Sequence, residues 1–249
     1  MSFRSVRAFA LCAIGSAFAG GCAADDRSIS FDRFVEATTA TTGGCSVDPS
    51  IMNSLSRGVF DAEVASFFTG GGYVASFIVT NNLLLRTDET VDTQSYTINA
   101  YDVDLEVTGP ATAAIPAGQR KFTVVSGSVR VRPQMSAGGS VSVLSPTVVQ
   151  SLIGLGANLD ASGGSEVNAK IRAHVSRGGE HHVTAYFNLP VDICWGCLLQ
   201  VPADTPCASV AATARMSGNG CNYAQDQAVT CCTTNGAEAC GASIPQTSP

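Results

Sequence analysis

Val167-Asn168-Ala169-Lys170-Ile171-Arg172-Ala173-His174-Val175-Ser176 is followed by Gly178-Gly179 and then by Val183, Ala185, Phe187 and Leu189 at alternate positions. The first half sets an apolar residue at every second place, which is the period of a strand with one buried face. Two glycines supply a turn, and the second half alternates back. The reading is a β-hairpin, with Gly178-Gly179 at its tip.

The same period recurs upstream. Tyr101-Asp102-Val103-Asp104-Leu105-Glu106-Val107 alternates and stops at Gly109-Pro110, and Lys121–Arg132 alternates with a slip after Val124 that marks a bulge near Gly127. Tyr73–Leu85 is apolar on both faces, as in a central strand, and Phe60, Ala62 and Val64 begin another alternation. Val141 and Val143 start a shorter strand. Ser145-Pro146 reads as an N-cap with proline in the first turn of a short helix carrying Val148, Val149, Leu152 and Ile153. These signals predict a mainly β chain: an Ig-like antiparallel β-sandwich over residues 45–193.

Downstream of the hairpin the composition changes. From Cys194 to Cys240 the chain holds seven of its ten cysteines and four charged residues, Asp204, Arg215, Asp226 and Glu238. So little apolar bulk calls for cross-links, and residues 194–249 are expected to form a disulfide-rich, loop-rich C-terminal module. Adjacent Cys231 and Cys232 are poor partners for each other. Cys45 has no neighbouring cysteine and is expected to bridge to the tail.

The N-terminus sets the compartment. Arg4 and Arg7 precede an apolar run from Ala8 to Phe18 that is too short to span a bilayer, as in a secretory signal. Ala17-Phe18-Ala19 fits ordinary signal peptidase, whereas Ala19-Gly20-Gly21-Cys22 fits a bacterial lipobox with Ala in place of the usual Leu. Cysteine parity favours the lipobox. With Cys22 acylated, Cys45, Cys194, Cys197, Cys207, Cys221, Cys231, Cys232 and Cys240 form an even disulfide set. Residues 1–21 are then the signal and 22–44 a lipid anchor and tether, read mainly as a disordered spacer, with one docked helical turn at Phe31, Phe34 and Val35 as the alternative. Ala23-Ala24 suits outer-membrane sorting, on a periplasmic or surface face.

Loss of Arg4 and Arg7 moves the formal charge from −6 to −8. An acidic chain with only Lys121 and Lys170 as lysines and no basic cluster excludes nucleic acid as a partner; membrane contact would come through the acyl chains. An envelope protein or glycan is the remaining class of partner.

Few residues suggest chemistry. Cys194-Trp195-Gly196-Cys197 has the spacing of a redox pair but lacks the strand-to-helix setting of one. Zinc ligation by Cys194, Cys197, Cys207 and Cys221 competes poorly with disulfides in an oxidising compartment. His174 and His182 are placed on one polar face by the hairpin, and without a third ligand they read as exposed histidines rather than a metal site. Asp102, Asp104 and Glu106 line a strand face, where Arg130 and Arg132 are expected to offset them. Ile115 occupies the place of the bidentate Glu of a calcium loop. G-x-S-x-G, H-E-x-x-H, the P-loop and G-x-G-x-x-G are absent. No catalytic residue, metal or cofactor is assigned.

Pro190-Val191-Asp192-Ile193-Cys194-Trp195-Gly196-Cys197-Leu198 resembles the Pro-x-x-x-Cys-x-Gly-Cys-Leu junction of predicted outer-membrane lipoproteins from myxobacteria and related bacteria. Cys221 to Cys232 resembles their Cys-x-x-Gly-Gln-Asp-x-x-Val-x-Cys-Cys segment, with Ala224 in place of Gly, and Tyr73–Leu85 is similar to their early strand. The resemblance implies an outer-membrane lipoprotein and carries no activity. The function expected is a non-enzymatic, structural or binding lipoprotein of the cell envelope. The alternatives are a secreted hydrolase with an unrecognised site and a thiol oxidoreductase using Cys194 and Cys197.

Overall fold

A computed structural model describes residues 28–40, 44–68, 71–85, 93–201, 205–210, 217–234 and 237–241. The signal segment, Cys22 and the Thr41-Thr42-Gly43 part of the expected tether lie outside the described residues. In chain order the elements are β1 (Ile29–Val35), β2 (Thr38–Ala40), β3 (Gly44–Ser46), β4 (Gly58–Asp61), α1 (Ala62–Ser66), β5 (Val74–Asn81), β6 (Tyr96–Thr108) and α2 (Ala111–Ala114). Then come β7 (Lys121–Val131), β8 (Ser136–Ser142), α3 (Pro146–Ile153), β9 (Ser165–Arg177), β10 (Glu180–Val183), β11 (Phe187–Cys194), β12 (Cys231–Thr234) and β13 (Ala237–Cys240).

The chain is mainly β, with 48% strand against 17% helix, so sheet pairing rather than helix packing builds the core. The strands form four sheets: β1-β5-β8, the larger β4-β11-β9-β6-β7 with β10 also on β9, and the ribbons β12-β13 and β2-β3. One core joins the two larger sheets. Phe31 and Phe34 reach Phe187 at 5.5 and 4.5 Å between ring centres, and Phe77 meets Tyr101 edge-on at 5.2 Å. Edge-on and offset pairs of this kind add to the burial of their area.

The quoted hairpin is present, with a twist in its register. Gly178 and Gly179 both have positive φ (59° and 89°), as a two-residue hairpin turn requires, and they pair Arg177 with Glu180. This register sets His174 against Val183 and His182 against Val175. The histidines therefore face opposite sides of the sheet, which corrects the expectation of a shared face. A slip follows at Thr184. Its side chain turns inward and its Oγ1 accepts from Ala173 N at 2.9 Å, so Ala185 is pushed out and Phe187 then pairs with Ile171.

Three further expectations change. The tether contains a strand, because a bulge at Asp32 lets Phe31 and Phe34 face the same core; their spacing of three, helical in the sequence, is made by that extra residue. The alternation from Phe60 ends at Asp61, whose carboxylate caps α1 and turns Ala62, Val64 and Ala65 into a buried helical face. The all-antiparallel pattern fails where β4 runs parallel to β11, and again at the isolated parallel bridges Leu199–Val229 and Pro206–Thr233. Elsewhere the signals hold. Ser145 Oγ accepts from Val148 N at the start of α3, β5 is central in its sheet, and the register of β7 on β6 breaks across residues 126–128.

Candidate functional site

Because β4 and β11 are parallel, their C-terminal ends meet, and Asp61 stands beside Cys194. Asp61 is fully buried. Its Oδ1 accepts from Glu63 N at 2.9 Å, Val64 N at 3.2 Å and Gly196 N at 2.8 Å, and its Oδ2 accepts from Leu198 N at 2.8 Å. Four N–H donors thus match the roughly four lone-pair sites of one carboxylate. Gly196 is required here: its φ is +75° and a Cβ would lie 2.4 Å from Glu63 Oε2.

The ligand atoms of Asp61, Cys194 and Cys197 lie within 4.8 Å of one another. The set nevertheless does not fit a metal, since the two sulfurs are bonded to each other and leave Asp61 as the single ligand of the group. The four cysteines that zinc would need are parted among three bridges. The pairs are Cys45–Cys221, Cys194–Cys197, Cys207–Cys232 and Cys231–Cys240.

The tail is latched into the body by three consecutive polar contacts. Gln225 uses its side-chain amide as a strand would, accepting from Val74 N at 3.0 Å and donating to Val74 O at 3.1 Å. Asn222 Nδ2 donates to Gly72 O at 2.6 Å. Asp226 Oδ1 accepts from Val59 N at 2.9 Å and from the Tyr73 hydroxyl at 3.1 Å. Burial raises the Asp226 carboxyl from 3.8 to about 6, against the lowering effect of its hydrogen bonds, with Glu36 adding repulsion.

The pH consequence has a definite sign. A folded pKa above the unfolded one favours the protonated form in the folded state. That stability is complete below the ordinary value of 3.8 and is lost as pH rises through about 6. Between pH 4 and pH 7 the contribution amounts to about 2 kcal/mol. Urea unfolding of the wild type and Asp226→Asn at several pH values in this window should give curves whose difference slopes; parallel curves would exclude the effect.

A cavity of about 510 Å³ opens between β7 and β8, with Cys45–Cys221 on one wall. Both strands are the last of their sheets. Ser126, Ser140, Ser142, Asn222 and Gln225 line it among valines, and no described lining residue carries a charge. Ser76 also lines it, at 4% exposure, and its Oγ has no hydrogen-bond partner.

The acidic strand face is held by cations other than those expected. Lys121 pairs with Asp104, Lys170 with Glu106, and Arg172 donates twice to Asp102 at 2.9 and 2.8 Å. Arg130 instead stands opposite Thr97 and Arg132 lies beyond the end of β7. His174 Nε2 lies 2.9 Å from Asp102 Oδ2, a close contact without the alignment of a hydrogen bond. Burial acts to raise the Asp102 pKa, but Thr123, His174 and Arg172 outweigh it and bring it down to about 2. His182 lies near Tyr96, 6.1 Å between ring centres, on the other side.

Asp61, Ser76 and Tyr73 carry no sequence signal of function. For Asp61 a signal did exist, since Asp61-Ala62-Glu63-Val64 also reads as a capped helix start.

No protein-family model matches this chain, and no curated protein matches it. Among solved structures, a protein from Archaeoglobus fulgidus is similar at TM-score 0.28 and 11% identity, over 49% of this chain and 89% of its own. A likeness of that size carries no argument about fold or activity.

Proposed function

We propose that this chain is a non-enzymatic cell-envelope lipoprotein that holds an uncharged ligand between β7 and β8. The observation that carries the binding role is the uncharged cavity, which Ser76 helps to line with a buried hydroxyl that has no partner among the described residues. A buried hydroxyl without a partner costs free energy that a ligand oxygen or nitrogen would recover. Ligand sites combine apolar lining with a few placed polar groups in this way. The two larger sheets are read as the layers of an Ig-like sandwich, supported by the aromatic contacts between them. The anchor reading rests on Cys22 and on the resemblance of the Cys-rich segments to outer-membrane lipoproteins of myxobacteria. No described helix is long and apolar enough to cross a membrane.

Two experiments test this reading. A panel of neutral oligosaccharides and uncharged peptides is screened by thermal shift against the wild type and Ser140→Trp, which fills the cavity from an exposed position. A ligand should raise the wild-type Tm by several degrees and leave the variant unchanged; equal shifts in both would move the site elsewhere. For the anchor, Cys22→Ala should leave an unlipidated precursor that no longer incorporates labelled palmitate, and globomycin should leave a palmitate-labelled precursor with its signal uncleaved. Normal maturation under either treatment overturns it.

The hydrolase alternative needs a carboxylate beside a histidine in a cleft. Asp102 does lie beside His174, but its oxygens are committed to Arg172 and Thr123, and neither Asp102 nor His174 lines the cavity. These contacts favour the binding reading.

A further inference from the structure

Cys194–Cys197 differs from the other three bridges. It spans a separation of 3 residues, against 9, 25 and 176 for the others, so it restrains the unfolded chain least. Its turn is also held without it. Asp61 binds Gly196 N and Leu198 N, Leu199 N donates to Gly196 O at 3.2 Å, and Trp195 N donates to Asp160 Oδ1 at 3.3 Å. Cleaving the sulfur–sulfur bond therefore leaves the backbone in place.

The two sulfurs are also unequal. Cys197 is exposed, whereas Cys194 is buried, with Sγ 3.5 Å from Phe60 O. An incoming reagent reaches Cys197 first, and the thiol formed at Cys194 once water has protonated it can donate a hydrogen bond to Phe60 O. In contrast, Cys231, Cys232 and Cys240 are fully buried; Cys45 is exposed, but its bridge to Cys221 closes the longest separation, 176 residues.

We propose that Cys194–Cys197 is a thiol-exchange site, opened at Cys197 by an external thiolate while the fold stays intact. Its natural reagent is a small thiol or a dithiol protein. The sulfur of the attacking thiolate bonds to Cys197 Sγ. The Cys197–Cys194 bond breaks, its electron pair passes to Cys194, and Cys194 takes a proton from water. A second thiol of the reagent then displaces Cys197, so the reagent is oxidised by two electrons to its disulfide and the protein is left with two thiols. In this exchange the bridge is the electron acceptor and the reagent the donor. This holds whatever ligand fills the cavity.

The test uses the full-length mature protein in detergent. Dithiothreitol is titrated under native conditions, thiols are trapped with N-ethylmaleimide after acid quenching, and each pair is assigned by peptide mass mapping. Cys194 and Cys197 should label at a reductant level at least tenfold below that needed for Cys207–Cys232 and Cys231–Cys240, with near-UV circular dichroism retained. The direction of attack is read with oxidised glutathione on single variants. Cys194→Ser should form a mixed disulfide at Cys197 at least tenfold faster than Cys197→Ser forms one at Cys194. Dithiothreitol and an added thioredoxin-type dithiol protein are compared at equal thiol concentration; faster opening by the protein assigns the reagent to that source, and faster opening by the small dithiol to the other. Opening only together with the buried pairs, loss of the dichroism signal, or equal rates in the two serine variants would overturn the proposal.

Discussion

Asp61→Ala is expected to lower the unfolding free energy by about 4 kcal/mol or more in urea denaturation. The substitution removes one side chain and strands four donors, Val64 N and Leu198 N buried and Glu63 N and Gly196 N part-buried. Each unsatisfied buried group costs about 1–3 kcal/mol, and water entering the vacated space offsets part of the total. Domains of this kind are stable by about 5–15 kcal/mol, so the variant sits near the edge of folding. Asp61→Asn should do less harm, because its carbonyl oxygen keeps the Oδ1 contacts while its amide faces Leu198 N. A loss below about 1 kcal/mol for Asp61→Ala would show that water replaces the carboxylate fully.

The second large effect belongs to the bridge of greatest span. The double variant Cys45→Ser/Cys221→Ser releases a sequence separation of 176 residues, for which the chain-entropy model gives about 5 kcal/mol. Cys45 lies in β3, paired with β2, and Cys221 precedes the Asn222, Gln225 and Asp226 contacts. The bridge therefore holds the region next to β1 against the tail. Guanidinium unfolding should show the loss, together with a rise in the m-value as the denatured chain expands. The matched Cys194→Ser/Cys197→Ser variant should lose much less. If the order is reversed, strain or denatured-state structure outweighs loop length.

The legible parts of this fold were those governed by local periodicity. β9 is read directly from Val167 to Val175, and α3 from Ser145-Pro146 and its apolar face. What was hidden depends on a single residue that changes the phase. Asp32 bulges out of β1 and disguises a strand as a helical turn, and Thr184 turns inward by bonding Ala173 and reverses the expected side of Ala185. Asp61 sits in an alternating run but serves as a cap. The histidines show how small the margin is: a one-residue difference in register moved His174 and His182 to opposite faces.

The candidate sites were legible in part. Cysteine content announced cross-links, and the isolated position of Cys45 pointed to the tail, but the partners come from the fold. Ser76 and the cavity could not be read, because β7 and β8 border it from different sheets and nothing in either segment refers to the other.

The Gln225 and Asp226 latch has a consequence for the order of events during synthesis. Val59, Tyr73 and Val74 are made early, yet their polar atoms find partners only when residue 226 has emerged, some 150 residues later. The β4–β11 pairing imposes a similar wait, since Phe60 meets Ile193. Contacts this far apart in the chain make for slow, late folding. A ribosome-bound fragment ending before the tail therefore leaves Val59 N, Val74 N and the Tyr73 hydroxyl without these partners, and the rim of the core beside β4 is the last part of the fold to be completed.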